Sequence, residues 1–375
     1  MDFDFNEEQY VFQETFKNFL SEQYPLEKHI ALVDSGERNG ELWSQLVELG
    51  LFSLIVPEEF GGLGMSFVDM ALIMEELGKS LVPPPVAETI IASDLIARFG
   101  TDDQKNHYLP DLAEGKLKFS LAMLEESAGF HPADGETTIA PTAGGFVVNG
   151  KKILVPQADA VDAILVVGKM ADTGNLAVAI VAPGSEGVAL RKHSALDDSC
   201  YFHEVSFDNV KLAGEKLLSS QGSAIGERLF DVSAAINATQ LVGIAGRMLD
   251  IAVDYACQRE QFGVPIGSFQ AIKHKCANIA VDVDGGRSAA YYAMWTIAED
   301  APDRAKAVSV AKSFCGEAAR LANNDGIQIH GGMGFTWELG LHHYLRRTKV
   351  LEYSAGDVAY HRERVMAETL AELSL

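Results

Sequence analysis

The feature that most constrains the fold is a change in the hydrophobic period along the chain. Apolar residues recur at helical spacing up to about residue 117, alternate mostly every second residue from 118 to 222, and return to helical spacing from 223 onward. A helix and a strand present side chains with periods of 3.6 and 2, so each pattern buries its apolar face in only one of these forms. The sequence therefore predicts an α+β protein with an N-terminal all-α domain (1–117), a middle antiparallel β domain (118–222) and a C-terminal helical domain (223–375).

Local signals support helices in the first of these parts. Asn6 followed by Gln9 is typical of a capping box at a helix start. Further helices are predicted around Trp43, from Ser66 to Gly78 and from Ile90 to Phe99.

The middle part contains short runs with a period of two. Candidate strands cover residues 119–124, 145–148, 152–155, 163–167, 176–181 and 201–207. Asn149-Gly150 lies between two of these runs, and both residues tolerate positive φ, so this pair predicts a hairpin turn.

The last part is rich in alanine and strongly helical. Long helical segments are predicted at 234–258, 269–299 and 305–323, with a further one after Gly340. Long helices in succession are typical of a four-helix bundle.

Charge and composition limit the partners. Acidic residues outnumber basic ones by 53 to 30, and the formal net charge is −23. This charge disfavours nucleic acid and anionic membrane surfaces as partners.

The sequence has no apolar run of the roughly 20 residues that a membrane span needs, and its start does not resemble a signal peptide, so we expect a cytoplasmic protein without a membrane span. The four cysteines form no CxxC pair, and we expect no metal site.

Two segments of the C-terminal part carry residues suited to a phosphate-containing ligand. In REQFGVPIGSFQ (259–270), the guanidinium of Arg259 can pair with pyrophosphate oxygens, Phe262 can cover a ring, and glutamine amides can bond its polar edge. In QIHGGMG (328–334), glycines let backbone N–H groups approach such a ligand closely. A dinucleotide-binding Rossmann site is not predicted, because the third glycine and the βαβ pattern are missing. Taken separately, each segment is also typical of an ordinary helix end.

Taken together, these two segments and the Gly356-Asp357 turn followed by His361 resemble the C-terminal half of the acyl-CoA dehydrogenase family, and the helix–strand–helix order extends the resemblance over nearly the whole chain. The resemblance implies FAD as cofactor, an acyl-CoA thioester as substrate and an electron-transfer flavoprotein as electron acceptor. It also implies at least a dimer, because the family's equivalent segments contact the FAD of a neighbouring subunit. The residues assigned to that FAD are Arg259, Gln261, Phe262, Gln270, Gln328, Gly331 and Gly332.

The resemblance fails where the family has its catalytic base, a carboxylate that removes the α-proton. The two positions that supply this base in different branches align with Ala355 and Ser233, and neither residue is a useful base. The segments that line the flavin ring are altered to Leu124-Glu125-Glu126 and Leu154-Val155-Pro156, and Asp231, which matches an acid near the CoA arm, lacks its basic partner. No catalytic residue is therefore assigned to this chain.

The favoured hypothesis is a base-lacking subunit of a heteromeric α2β2 acyl-CoA dehydrogenase that completes its homologous partner's FAD site. The chain resembles the small subunit of pimeloyl-CoA dehydrogenase and the base-lacking subunits of steroid acyl-CoA dehydrogenases. One alternative is a self-sufficient homomeric enzyme with a displaced base such as Asp357, Glu352 or Glu338, although a shift of two residues moves a carboxyl by several ångströms. Another alternative is an acyl-CoA-binding or assembly protein with no redox role.

Overall fold

The computed structural model describes residues 5–38, 40–218 and 223–373. Helices precede and follow a block of strands, which confirms the predicted fold class. The helices are α1 (Glu7–Gln23), α2 (Leu26–Ser35), α3 (Gly40–Glu48), α4 (Phe67–Lys79), α5 (Val86–Phe99), α6 (Asp102–Ala113), α7 (Ala224–Gln258), α8 (Gln270–Ala298), α9 (Arg304–Ile329), α10 (Leu341–Tyr353) and α11 (Val358–Leu373). The strands are β1 (Phe119–Ala122), β2 (Thr138–Thr142), β3 (Gly145–Pro156), β4 (Ala163–Met170), β5 (Leu176–Val181), β6 (Val188–Lys192), β7 (Phe202–Leu212), β8 (Leu217–Leu218), β9 (Glu260–Gln261) and β10 (Val264–Pro265).

In the described residues, the strands before α7 form one eight-stranded sheet in the order β6-β7-β3-β2-β4-β5-β8, with β1 also paired to β4. Most neighbours are antiparallel, as predicted, but β1 and β2 both pair with β4 in parallel. The buried face of the sheet is aliphatic, with Val148, Ile164, Val166 and Val205 in one cluster. Because side chains alternate across a strand, this cluster accounts for the period of two in the sequence.

The predicted hairpin at Asn149-Gly150 is wrong. Strand β3 continues through both residues, and the turn lies at residues 143–144, since Thr142 pairs with Gly145. Asn149 instead accepts a hydrogen bond of 2.8 Å from the backbone N–H of Asn209 at an irregularity between β3 and β7. A local propensity for positive φ fits a bulge as well as a turn, and only the partner strand distinguishes the two.

The predicted capping box at the first helix is confirmed. The Asn6 side chain accepts from the backbone N–H of Gln9, whose side chain accepts from the backbone N–H of Asn6. The sequence analysis did not predict α2 or α6. Helix α6 carries the same signal, because Thr101 and Gln104 form a second capping box.

The chain divides into two compact units by internal contacts. One unit comprises Met1–Arg38, Phe67–Val82 and Ala234–Leu375, and the other Asn39–Ser66 and Pro83–Ser233. The division falls within α7. The domain boundaries at residues 117 and 222 follow the type of secondary structure instead, and they stay predictions.

Helix α7 is long and apolar enough to span a membrane by length and composition. It is the one helix in the described ranges that meets these criteria, and 94% of its apolar window is buried inside the molecule. Its apolarity is therefore that of a core helix.

Within the unit that contains the C-terminal helices, α4 and α7 approach each other at glycines. A Cβ on Gly78 would lie 2.3 Å from the backbone oxygen of Gln240, and one on Gly243 would lie 2.2 Å from that of Glu75. Glu75 itself accepts hydrogen bonds from Arg287 and Tyr291 of α8. Burial alone would raise the pKa of Glu75, but these bonds and the nearby Lys79 hold it at about 2.

We expect Gly243→Ala to lower the free energy of unfolding by about 1–3 kcal/mol, because the added methyl group forces α4 and α7 apart. The matched control is Gly246→Ala on the same helix, where a Cβ would meet its nearest atom at 3.8 Å. That variant should be neutral or stabilising by up to about 1 kcal/mol. Denaturant unfolding of both variants tests this, and equal stability of the two would contradict the close helix contact.

Candidate functional site

The segment after α7 forms a small exposed hairpin. Strands β9 and β10 pair, and Phe262 and Gly263 form the turn between them with φ of 57° and 79°. The Phe262 side chain is 93% exposed, and Gln261 and Gln270 are exposed as well. A large aromatic ring held out on a tight turn contributes little to the core of its own chain, so it is available to a ligand or to another subunit.

The end of α9 presents bare backbone. Gln328 is exposed, and a Cβ on Gly331 or on Gly332 would meet no atom within 4 Å. Gly331 has a φ of 58°, which favours glycine. Gly334 differs, because a Cβ there would lie 2.3 Å from the Ile327 backbone oxygen. Gly334 is therefore needed for packing, whereas the first two glycines leave their backbone accessible.

The fold brings these two segments together at the C-terminal end of α7. Ala256 of α7 and Ile329 of α9 belong to one buried cluster, and Ile266 from the segment after the hairpin packs against it. The ring of Tyr255 stacks on that of His330 at 4.2 Å. A guanidinium, an exposed ring, three amides and open glycine backbone thus lie on neighbouring segments, a set that fits the pyrophosphate and ring of FAD. The assignment of individual residues to that cofactor stays a prediction.

Ala355, which the resemblance aligns with the first base position, lies on the turn between α10 and α11. Its φ is 53°, an uncommon conformation for a residue with a side chain. The fully buried amine of Lys312 holds this turn by donating hydrogen bonds to the backbone oxygens of Glu352 (2.9 Å) and Gly356 (2.6 Å). Burial lowers the pKa of Lys312 to about 7.

His361 holds the same turn from the other side. Burial, together with the charge of Lys312, lowers the pKa of His361 to about 3, so the imidazole is neutral near pH 7. Its Nε2 lies 2.8 Å from the Ala355 backbone oxygen and its Nδ1 lies 3.1 Å from Ser309 Oγ. The tautomer with the proton on Nε2 donates to the first and accepts from the second. The turn is therefore fixed in shape although it carries no carboxylate at 355.

The role of Lys312 was not predicted from the sequence. One signal was available, because the lysine lies on the buried face of an alanine-rich helix together with Val308, Ala311 and Cys315. A lysine at such a position needs acceptors within the protein, but the acceptors lie some forty residues away in the chain and cannot be read from the spacing.

Ser233, which the resemblance aligns with the second base position, is buried and hydrogen-bonded. Its hydroxyl donates to the Leu229 backbone oxygen at 2.7 Å, an ordinary bond within a helix. Asp231, two residues earlier, is buried. The Ser233 hydroxyl is therefore committed to a bond within its own helix.

Of the three carboxylates proposed as displaced bases, Asp357 and Glu352 have structural contacts. Asp357 accepts a hydrogen bond of 2.8 Å from the backbone N–H of Tyr360 and so caps α11. Glu352 pairs with Lys349 at 2.8 Å. Glu338 is exposed to solvent.

We expect Asp357→Ala to lower the free energy of unfolding by about 1 kcal/mol through loss of the helix cap. If the chain works with a base from its partner, the same variant should leave acyl-CoA oxidation by the complex unchanged. Denaturant unfolding and steady-state turnover test the two parts separately. A loss of turnover of 100-fold or more, without unfolding, would instead identify Asp357 as a displaced base.

Glu125, in a segment that the resemblance assigns to the flavin ring, is buried in an ion pair. Lys152 Nζ donates to its carboxylate at 2.7 Å, and the backbone N–H groups of Glu136 and Thr137 donate at 2.7 and 3.1 Å. Burial alone would raise the pKa of Glu125, but the bond to Lys152 and its charge hold it below the ordinary value. This carboxylate is therefore committed to structure.

A loop that follows this segment lies against the first turns of α7. His131 Nε2 is 3.0 Å from the Glu227 carboxylate, and the His131 ring lies 5.1 Å from that of Phe230.

Over the described residues, no group of three or more His, Cys, Asp or Glu side chains is arranged to hold a metal ion.

Comparisons with known proteins agree over nearly the whole chain. Models of the N-terminal and the C-terminal domains of acyl-CoA dehydrogenases match residues 6–116 and 220–370. The chain is 31% identical over 369 residues to a probable acyl-CoA dehydrogenase, YngJ, from Bacillus subtilis, covering 95% of this chain and 96% of that one.

Two solved structures are similar in fold and sequence. One is the ChsE4–ChsE5 complex from Mycobacterium tuberculosis, with a TM-score of 0.91, 25% identity and 99% coverage of both chains. The other is an acyl-CoA dehydrogenase complexed with FAD from Bacillus anthracis, with a TM-score of 0.89 and 26% identity, covering 99% of this chain and 68% of that one.

Proposed function

The chain belongs to the acyl-CoA dehydrogenase family, and on that basis we propose that it is the non-catalytic subunit of an FAD-dependent, heteromeric acyl-CoA dehydrogenase. The complex desaturates an acyl-CoA thioester between its α and β carbons. This chain completes the FAD site of a homologous catalytic subunit, and an electron-transfer flavoprotein takes up the electrons.

One observation carries the proposal: the segments assigned to FAD keep residues suited to the cofactor, whereas the positions aligned with the catalytic base hold no carboxylate. The segments at 259–270 and 328–332 retain an exposed ring, amides and open backbone. The base positions hold Ala355 and Ser233, and Asp357 caps a helix. A chain that contacts flavin but removes no proton needs a partner that does.

The residues of this chain then have defined tasks. When bound, FAD accepts the hydride that leaves the β-carbon of the substrate. Arg259 neutralises charge on the pyrophosphate, and Phe262 covers one face of the cofactor and excludes water. Gln261, Gln270 and Gln328 supply amides, and Gly331 and Gly332 supply backbone N–H groups. The α-proton goes to a carboxylate of the partner.

The surface of α9 offers a place for such a partner. Val310, Phe314 and Leu321 are exposed apolar side chains on one face of the helix, with the partly buried Glu317 between them. Contact with a protein partner would remove this apolar area from water. The similarity to the ChsE4–ChsE5 complex supports a different chain as the neighbour. The α2β2 arrangement is part of the proposal. The net charge of −23 disfavours nucleic acid as the partner.

The test is to express the chain alone and together with an acyl-CoA dehydrogenase encoded beside it, and to measure FAD per chain and acyl-CoA oxidation with a dye acceptor. We expect little flavin and no turnover from the chain alone, and one FAD per pair of subunits with turnover from the complex. Full flavin and turnover from the chain alone would overturn the heteromer and favour the homomeric enzyme. Flavin-free material in both preparations would favour an acyl-CoA-binding or assembly protein.

A further inference from the structure

A pocket lies within the unit that contains the sheet. Its volume is about 300 Å³, at the lower end of the range for small-molecule sites, about 300–1,000 Å³. It lies between α6, the starts of β1 and β4, the end of β5 and the end of β7.

The pocket combines an apolar floor with a polar rim. Phe119, Ile180 and Leu212 are buried and supply the floor. Lys211, Lys216, Ser185 and the hydroxyl of Tyr108 supply hydrogen-bond donors around it. Small-molecule sites typically pair apolar walls with a few fixed polar groups in this way.

The rim is held in place by contacts with its surroundings. The side-chain amide of Gln104 donates to the backbone oxygens of Glu215 and Leu217, each at 2.9 Å, and so fixes the residues on both sides of Lys216 to α6. Lys216 Nζ in turn donates to the Tyr108 hydroxyl at 2.6 Å, and that hydroxyl keeps its own proton for another acceptor. Because Lys216 and Tyr108 are already held by these bonds, they lose little conformational entropy when a ligand binds.

The charged residues that line the pocket indicate the charge of the ligand. Two lysines and one aspartate, Asp162, give the pocket a local charge of +1 within a chain of net charge −23. Asp162 is fixed, because its carboxylate accepts the backbone N–H of Lys118 at 2.8 Å. A monoanion matches this balance better than a dianion, and the apolar floor favours an alkyl or aryl body. We propose that this pocket is a second binding site, which takes a short-chain carboxylate with its anionic end between Lys211, Lys216 and the Tyr108 hydroxyl.

Hexanoate is the probe, titrated into the full-length chain in whatever assembly it forms. We expect a Kd of about 1 mM or tighter. Lys216→Met and Lys211→Met should each weaken binding about tenfold, because each removes one charged donor. The control is Lys105→Met, which removes a lysine of α6 that does not line the pocket and should leave the Kd unchanged. Thermal unfolding of each variant shows whether it folds.

Two further probes test whether binding needs both the charge and the alkyl chain of hexanoate. Hexan-1-ol, which has the alkyl body without the charge, and inorganic phosphate, which has charge without the body, should each bind at least about tenfold more weakly than hexanoate. Tyr108→Phe keeps the ring and should also weaken hexanoate binding, which separates the hydroxyl from packing. The proposal is overturned if hexanoate does not bind at 10 mM or below, if either lysine variant binds it like the parent, or if hexan-1-ol or phosphate binds as well.

Discussion

Lys152→Met should lower the free energy of unfolding by about 3–5 kcal/mol, because it leaves the buried carboxylate of Glu125 without its counterion. Lys152 is 1% exposed and Glu125 is 7% exposed, so water cannot replace the lost ammonium group. The two backbone donors at Glu136 and Thr137 remain, and they stabilise the charge only in part. Denaturant unfolding at pH 7 measures the loss.

The matched control is the double variant Glu125→Gln, Lys152→Met, which removes both charges. It should be more stable than Lys152→Met alone, since a neutral amide costs less to bury than an unpaired carboxylate. If the single and double variants are equally stable, Glu125 is not ionised in the folded state.

The stability of Lys152→Met should also fall less steeply than that of the parent when the pH is lowered below about 4.5. In the parent, the pKa of Glu125 is held below its ordinary value, so its contribution is present above that value and lost as the carboxylate becomes protonated.

Arg259→Ala, made only in this chain, should weaken the retention of FAD by the complex about 10- to 100-fold, since a charge-assisted hydrogen bond is worth about 1.5–3 kcal/mol. Phe262→Ala should also lower FAD retention, by removing the ring that covers the cofactor. Because Phe262 is 93% exposed in the isolated chain, its removal should not change the stability of the fold. Dialysis followed by absorbance of the bound flavin measures the effect.

A control variant distinguishes a direct contact with FAD from the general effect of removing a positive charge nearby. Lys273→Ala changes an exposed lysine on the first turn of α8, close in sequence to the motif but not assigned to FAD. It should retain flavin like the parent complex. If Arg259→Ala and Phe262→Ala also retain flavin like the parent, the assignment of these segments to a neighbour's FAD is wrong, and the pair of exposed segments serves subunit contact alone.

Much of the fold could be predicted because its signals are local. The capping box at Asn6 and Gln9 is a spacing of three residues, and the runs of period 3.6 and 2 are properties of short windows. The Asn149-Gly150 pair shows the limit of such signals, because the same two residues fit a turn and a bulge, and the neighbouring strand β7 determines which of them forms.

The order of helices, then strands, then helices could be read from the sequence, because the hydrophobic period is a property of short windows. The alignment of Ala355 and Ser233 with the two base positions follows from the resemblance and stays a prediction. The roles of the remaining charged groups could be read only from the tertiary structure. In the folded chain Glu125 pairs with Lys152, and Asp357 caps a helix. Lys312 and His361 hold the turn at residue 355. One buried cluster joins the segments at 259 and 328. The physical reason is that burial and charge pairing depend on groups far apart in the chain, which packing alone brings within hydrogen-bonding distance.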